Sequence, residues 1–257
     1  MDSTPNEQSL SYQEAPFYYS NQLQISNDAT TPLTKLDIGV GTILDSTATF
    51  QLTNSATIVI DATQNGLNGL DTGSLQASKV YCVYLVADPV TLQTTGAMIS
   101  LSYTAPLLPF GYSAFSLIGY VTTDAAVHFL KGYWTVGNGS SHLFMYDAPQ
   151  ASPITAGGAT SATAVVLTTL VPVVNNSPTW LAIDATPAAA SRVLSLTPGN
   201  ATGIAAQLTS QVTSVHVTAN VLVLSQLVTG APTVNYLWSA GGGDAVAIDV
   251  AGYEYFI

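Results

Sequence analysis

The sequence predicts an all-β protein: two β-sandwich or jelly-roll-like modules preceded by an extended N-terminal arm. Three observations lead to this fold class. Short apolar runs alternate with a period of two, turn-forming residues recur about every 8 to 12 residues, and no segment keeps helical spacing over several turns. We therefore expect an arm at residues 1–31, a first β module at 32–147, a linker at 148–159 and a second β-sandwich module at 160–257.

The composition favours a folded, weakly charged protein. Hydrophobic residues make up 47% of the 257 residues and charged residues only 7%, against about 25% charged residues in typical domains. Disordered chains show the opposite mixture. Lys and Arg number 4 and Asp and Glu 15, which gives a formal net charge of −11. Because no two basic residues are neighbours, we expect neither nucleic acid nor an anionic membrane as a partner.

The predicted arm, residues 1–31, contains acidic residues but no Lys or Arg, and it carries three adjacent aromatic residues. It is either a frayed tail or an extended arm that docks on another subunit. The docking arm is favoured, because a disordered tail has little use for three adjacent rings. Phe17, Tyr18 and Tyr19 are therefore the predicted partner-binding residues.

Targeting and membrane segments are not expected. The N-terminus has no positively charged region followed by an apolar one, so the sequence predicts no secretory signal peptide and synthesis in a cytoplasm. No apolar run approaches the roughly 18 residues of a transmembrane helix.

The first module is predicted around one central strand, Val80–Ala87. Both alternating sets of side chains in this run are apolar, as in a strand covered on both faces. A loop rich in Asn and Gly at 61–71 suits backbone with positive φ. Alternation predicts further strands at 36–40, 48–52, 58–60, 97–103, 114–122, 126–135 and 142–147.

Small and turn-forming residues at 148–159 predict the boundary between the modules. The second module is rich in Ala, Val and Thr, which suggests closely packed sheets or a subunit interface. Its strands are predicted at 164–171, 179–183, 193–196, 212–217, 221–228, 234–238, 245–250 and 252–257.

The segment Asp71-Thr72-Gly73-Ser74 resembles the aspartic-protease motif, in which two aspartates activate water. One copy per chain would require a symmetric dimer. The segment before Asp71 is a glycine-rich loop, whereas the protease has an apolar strand there, so a turn-capping role for Asp71 is favoured. An aspartic-protease-like enzyme remains a remote alternative.

Other catalytic and metal sites have weaker support. His128, His142 and His216 are dispersed, and the sequence contains no Gly-x-Ser-x-Gly elbow. The loop at 61–71 offers Asp and Asn oxygens, but Thr72 stands where calcium loops need a bidentate Glu, so turn formation is favoured over a weak calcium site. The single cysteine, Cys82, suits a core position and allows no disulfide within the chain. We predict no enzyme activity, no metal and no cofactor.

Aromatic residues leave one binding function open. Trp134, Trp180 and Trp238 fall in separate predicted strands. Sugar-binding surfaces use such rings, although protein cores use them more often. Carbohydrate binding is therefore an alternative hypothesis.

Several motifs resemble a family of tailed-bacteriophage virion structural proteins. The resemblance covers residues 33–147 and, beyond them, only the style of the second module and a closing Val250-Ala-Gly-Tyr253. The motifs that carry it in the first module are Leu36-Asp-Ile-Gly39, Asn65-Gly-Leu-Asn-Gly-Leu-Asp-Thr-Gly-Ser-Leu75, the Tyr-rich central strand, Leu108-Pro-Phe-Gly-Tyr112, Ile118-Gly-Tyr-Val-Thr-Thr-Asp124 and His128-Phe-Leu-Lys131.

This resemblance implies a non-enzymatic, β-rich component of the virion exterior. Such proteins are placed on the head as decoration or cement, at the tail, or on its fibres. The resemblance further implies a homotrimer, contacts with other virion proteins, and no catalytic residues to carry over. A receptor- or glycan-binding module of a phage fibre is the alternative, with a host surface glycan as its partner.

Overall fold

A computed structural model describes residues 23–88, 90, 95–136, 141–151, 154–174, 176–199, 203–211 and 214–256. It confirms the all-β fold class: within these ranges the secondary structure consists of antiparallel strands without a helix. None of these residues therefore forms an apolar helix long enough to cross a membrane. The predicted partner-binding residues Phe17, Tyr18 and Tyr19 lie outside the described ranges.

The described residues form seventeen strands. In chain order they are β1 (Ile25–Asn27), β2 (Lys35–Ile38), β3 (Gly41–Leu44), β4 (Gln51–Asn54), β5 (Ile58–Asp61), β6 (Val80–Ala87), β7 (Thr95–Ser100), β8 (Ala114–Thr122), β9 (Gly132–Val136), β10 (Ser141–Ala151), β11 (Thr163–Val166), β12 (Ser177–Thr186), β13 (Val193–Pro198), β14 (Ala206–Thr209), β15 (Val217–Val228), β16 (Ala231–Trp238) and β17 (Ala245–Phe256).

One large sheet runs through both halves of the chain, in the order β5-β2-β1-β9-β10-β17-β12-β15. In the first half its inner face packs against a three-stranded sheet, β7-β6-β8. The contact is close at Gly119 on β8, where an added Cβ would lie 2.5 Å from both the Ile25 Cδ1 and the Tyr255 hydroxyl. A glycine is therefore required where the two sheets approach each other.

The strand β6 is the central strand of its sheet, as the sequence predicts. All eight of its residues are buried, because the large sheet covers one face and the segment after β7 covers the other. The Tyr84 hydroxyl donates a hydrogen bond to the Ser102 carbonyl in that segment at 2.7 Å.

In the second half, the large sheet packs against a smaller sheet with the strand order β14-β13-β16-β11. Ala185 and Val217 of the large sheet face Leu208 and Trp238 of the smaller one. The strand β15 joins the two sheets, since its first nine residues pair with β12 and its last three pair with β16.

The long strand β17 also joins the two halves. The sequence predicts two strands at 245–250 and 252–257, but the chain continues through Ala251 as a β-bulge. The extra residue shifts the alternation by one position, so that Val250 faces inward before it and Tyr253 faces inward after it. Both parts of the strand therefore place side chains in the core.

The predicted division into arm, modules and linker stays a prediction. Two strands extend the sheet into the predicted arm and linker: β1 lies within residues 1–31 and pairs with β2 and β9, and residues 148–151 of the predicted linker end β10. The sheet therefore continues into the segment where the sequence predicts a linker.

Two predicted strands begin too early, because in each case an aspartate side chain turns the backbone before the strand starts. At 48–52, the Asp45 carboxylate accepts hydrogen bonds from the amides of Thr49 and Phe50 and holds Ala48 at φ 55°. At 126–135, Asp124 captures two amides in the same way and Val127 has φ 67°, so the strand begins only at Gly132. Such local hydrogen bonds compete with the sheet.

The second module also differs from the prediction. The described residues 214–216 of the predicted strand at 212–217 lie outside any strand, and β15 begins at Val217. The sequence prediction missed β14, a four-residue strand at the edge of the smaller sheet.

Candidate interaction surface

Six adjacent strands bring one uncharged row of residues to the outer face of the large sheet. The strands β1, β9, β10, β17, β12 and β15 contribute Ser26, Tyr133, Met145, Gly252, Trp180 and Leu222, which lie side by side in the register. Five strand spacings make this outer row about 24 Å long.

The outer row presents apolar side chains to solvent. Tyr133 is 54% exposed and Leu222 is 45% exposed, while Leu224 lies two residues further along the same face of β15. An added Cβ at Gly252 would lie 2.5 Å from the Met145 Sδ, so the thioether of Met145 covers the glycine. The apolar surface is therefore continuous from β9 to β12.

A buried aromatic layer supports the outer row from the inner face of the same strands. The rings of Trp134 and Phe144 lie 4.5 Å apart and those of Tyr120 and Tyr255 lie 5.0 Å apart. The indole N–H of Trp134 donates a hydrogen bond to the Tyr120 carbonyl at 3.1 Å. The Tyr120–Tyr255 pair packs edge to face, the Trp134–Phe144 pair is tilted, and the indole N–H is satisfied. The outer row therefore rests on a rigid sheet.

His142 belongs to this aromatic layer. Its ring stacks on Tyr255 with 5.4 Å between the ring centroids, and the residue is buried. Burial disfavours the charged form and lowers the pKa of His142 to about 4. The imidazole is therefore neutral at physiological pH, which keeps a charge out of the layer.

A shallow depression of about 300 Å³ lies beside Trp180 on the outer face, where β17, β12 and β15 adjoin. Asp184, Asn220 and Asp249 line it, with Thr218 at one end. Because Trp180 and Ala182 are two residues apart on one strand, the indole flanks the depression. An aromatic ring beside carboxylate and amide groups is an arrangement that can hold a polar, ring-shaped ligand.

The three tryptophans proposed for sugar stacking have different positions. Trp134 and Trp238 are buried, and each donates its indole N–H to a backbone carbonyl. Only Trp180 of the three is partly exposed. It is therefore the one whose ring can contact a ligand.

The Asn- and Gly-rich loop covers the outer edge of β7. The Asn68 amide donates to the Ala97 carbonyl, the Ala97 amide donates to the Asn68 side chain, and the Ile99 amide donates to Gly69. Gly66 and Asn68 have φ of 93° and 60°, as the composition of the loop predicts. The loop therefore satisfies backbone groups that an edge strand would otherwise expose.

Asp71 holds the end of this covering loop. Its Oδ2 accepts hydrogen bonds from the Ser100 hydroxyl at 2.6 Å and from the Leu107 amide at 3.2 Å. Its backbone amide donates to the Ile99 carbonyl. The carboxylate that resembles a protease aspartate thus joins the loop to β7.

The proposed calcium ligands bind protein groups instead of converging. Asp61 accepts hydrogen bonds from Thr63 and forms an ion pair with Lys35 at 3.1 Å, and the side-chain oxygen of Asn68 binds the Ala97 amide. Across the described ranges, no group of three His, Cys, Asp or Glu side chains is placed to hold a metal ion.

The remaining candidate side chains lie far apart in the fold. His128 is within 3.7 Å of Asp124 on an exposed turn, and His216 is 2.9 Å from Asp184 near the start of β15. Cys82 is fully buried in β6, where burial raises its thiol pKa to about 12. The thiol is therefore protonated and shielded, as a core residue would be.

Sequence reasoning missed the outer row, because its members are distant in the chain and meet only through strand register. One signal was present in the sequence. In β15 apolar residues occupy both alternating sets near Leu222, but at 218 and 220 the same face carries Thr and Asn, which identifies a solvent-facing side.

No protein-family model matches the chain, and no curated protein matches it. A solved structure of infectious bursal disease virus, Gx strain, aligns with 92% of this chain and 70% of its own at 9% identity, with a TM-score of 0.24.

Proposed function

We propose that this chain is a non-enzymatic structural protein of a virus particle that packs against other subunits on the particle exterior. The outer row is the observation that carries the proposal: an uncharged, largely apolar strip crosses six strands of a rigid sheet. Contiguous apolar surface of this kind is characteristic of protein–protein contacts. It suits a flat, extended contact better than binding in a deep cleft.

In finer terms, the chain is a bacteriophage virion protein, either a head decoration or cement protein or one associated with the tail or its fibres. The motifs of the first module support this assignment. A surface with so few charges also suits the outside of a particle, because contacts between such surfaces depend little on ionic strength.

The protein acts as a homotrimer in this proposal. A closed ring would bury apolar sheet surface and stabilise a chain that has no disulfide. The segment before Leu23 anchors each subunit to its neighbour or to other virion proteins, with Phe17, Tyr18 and Tyr19 as the contacting rings. Light scattering at micromolar concentration tests the trimer, and a monomer of unchanged stability would contradict it.

Particle incorporation tests the proposal directly. Particles from cultures that express the chain are banded on a density gradient, and peptides of the chain are quantified against a major particle protein. We expect co-purification at a fixed ratio, and recovery of the chain only in the soluble fraction would overturn the proposal. Deletion of residues 1–22 spares β1 and should abolish incorporation while leaving the thermal unfolding of the chain unchanged.

The depression beside Trp180 favours a second candidate function, a receptor- or glycan-binding module of a phage fibre. The partly exposed indole offers a stacking surface, and Asp184, Asn220 and Asp249 line the adjoining depression with hydrogen-bonding groups. Net negative charge favours a neutral sugar over an acidic one.

A glycan array with Trp180→Ala and Tyr133→Ala variants tests this second function. Tyr133 is an exposed aromatic on the same row but outside the depression, and so it serves as the control. If a sugar binds here, only Trp180→Ala should lose binding, and titration should change the intrinsic tryptophan fluorescence. An empty array with unchanged fluorescence would remove the candidate.

A further inference from the structure

The first nine residues of β15 form the longest open strand edge in the part of the chain that the structure describes. Residues 217–225 pair with β12 on one side, and on the other side a described strand joins only from Gln226 onward, where β16 begins. The edge strands β5, β11 and β14 have four residues each, and the free side of the nine-residue edge strand β8 accepts hydrogen bonds from the Ser46 and Leu130 amides.

This edge lacks the protection that natural edge strands carry. Residues 217–225 read Val-Thr-Ala-Asn-Val-Leu-Val-Leu-Ser, with no proline and no charged residue. Native edges are usually blocked by Lys, Pro, a bulge or a covering loop. A covering loop protects the edge of β7, so this fold covers one edge and leaves a longer one open.

We infer that this edge pairs with the same edge of a second copy, antiparallel about a two-fold axis at Leu222. Pairing of identical strands continues the sheet only if outward-facing residues oppose outward-facing residues. Near the middle of the strand, this condition allows an axis at Val221 or at Leu222, but not between them.

The outer row decides between these two registers. An axis at Leu222 places Leu222 directly against Leu222 of the second copy, and the two outer rows then join end to end. In this register residues 219–225 of the two copies pair, because Gln226 is already paired with Thr233 of β16. An axis at Val221 would place Leu222 against Asn220 and interrupt the apolar surface. Eleven strand spacings make the joined row about 53 Å long.

Local charge does not oppose a second copy of this chain as the occupant. Each copy carries a formal charge of −11, but the strand itself has none. The nearest acid, Asp184, adjoins Thr218 at one end of the strand, and the axis places the two Thr218 residues about 27 Å apart. That separation exceeds the screening length of about 8 Å at physiological salt, so the acidic groups do not oppose each other.

The contact lies at the edge that adjoins the outer row, it does not require a virion, and it is separate from the predicted trimer contact. Purified chain therefore tests it alone. The variant Leu222→Cys should form a covalent dimer, or link trimers in pairs, under mild oxidation on a non-reducing gel. Wild type should form none, because Cys82 is buried. Asn220→Cys should also form little, because its copies lie about 13 Å apart in this register.

A charge-reversal control completes the test. Leu222→Lys places two ammonium groups opposite each other and should weaken self-association in sedimentation velocity at least tenfold. Val59→Lys changes a residue of similar exposure, 43%, on the opposite edge strand and should leave association unchanged. Absence of a Leu222→Cys crosslink, efficient crosslinking of Asn220→Cys alone, or equal weakening by both Lys variants would overturn the inference.

Discussion

The edge of β7 is covered in this fold, whereas the edge of β15 is open. A loop that uses Gly69 and Asp71 satisfies the backbone groups of β7, whereas residues 217–225 of β15 have no described partner on their outer side. The covered edge belongs to the sheet with the fully buried strand β6. The open edge continues the outer row. The difference shows that the chain protects the edge near its core and leaves open the edge that adjoins its apolar outer surface.

Acid should reduce stability more than any of the substitutions below, because His142 lies in the aromatic layer behind the outer row. Its pKa is about 4 when folded and about 6.5 when unfolded. Between these values the unfolded chain binds more protons, and stability therefore falls as pH drops from about 6.5 to 4. The slope is about 1.4 kcal/mol per pH unit and the total loss about 3 kcal/mol.

Urea unfolding between pH 7 and pH 4 measures this loss. The variant His142→Phe should lose most of the slope. The pKa of Asp61 is lowered, mainly by the hydrogen bond from the Thr63 hydroxyl; partial burial opposes this shift and Lys35 adds to it. Asp61 therefore contributes to a further loss of stability only at lower pH. A wild-type stability that is flat from pH 7 to 4.5 would contradict the account of His142.

Gly69→Ala should remove the cover from the β7 edge. An added Cβ would lie 2.4 Å from the Gln64 carbonyl oxygen, and so the loop must shift. We expect a loss of about 2 kcal/mol in the free energy of unfolding, with aggregation appearing at the uncovered edge. Gly203→Ala meets no atom within 4 Å and is the matched control; equal losses would mean that the close approach at Gly69 is unimportant.

Asp71→Ala should have a smaller effect at the same edge. It leaves the Ser100 hydroxyl and the Leu107 amide without this acceptor, at a cost of about 1–2 kcal/mol. Chemical denaturation measures the change, and Asp147→Ala, at an exposed carboxylate, should differ little from wild type. An unchanged midpoint for Asp71→Ala would show that the loop is held by its backbone bonds alone.

At the open edge, Leu222→Lys should change stability least. The side chain is 45% exposed, and surface substitutions usually stay within about 0.5 kcal/mol. Thermal unfolding of the dissociated chain should therefore match wild type. A large loss would mean that Leu222 supports the fold of a single copy and is not available for a partner.

Prediction from sequence succeeded where the residue pattern within a strand indicates how the strand is covered. In β6 both alternating sets are apolar, and this identified a strand covered on both faces. It failed at Ala48 and Val127, because the carboxylates of Asp45 and Asp124 capture backbone amides that alternation assigns to a sheet. The bulge at Ala251 could not be predicted either, because it is defined by the pairing of β17 with its neighbouring strands β10 and β12.

The candidate surface was even less accessible to sequence reasoning. Trp134, Trp180 and Trp238 looked equivalent, but register places only Trp180 on an outer face. Cross-strand neighbours such as Tyr133 and Met145 are set by pairing between strands, which local periodicity does not determine. The aromatic residues of the arm stay a prediction.

Hydrogen–deuterium exchange of the intact chain at low and high micromolar concentration is the most direct test that the open edge and outer row serve contact between copies. We predict that the amides within residues 219–225 that point away from β12 gain protection as concentration rises, while those of 97–99, already covered by the loop, remain unchanged. Exchange of these amides within 219–225 that is fast and independent of concentration would contradict this account.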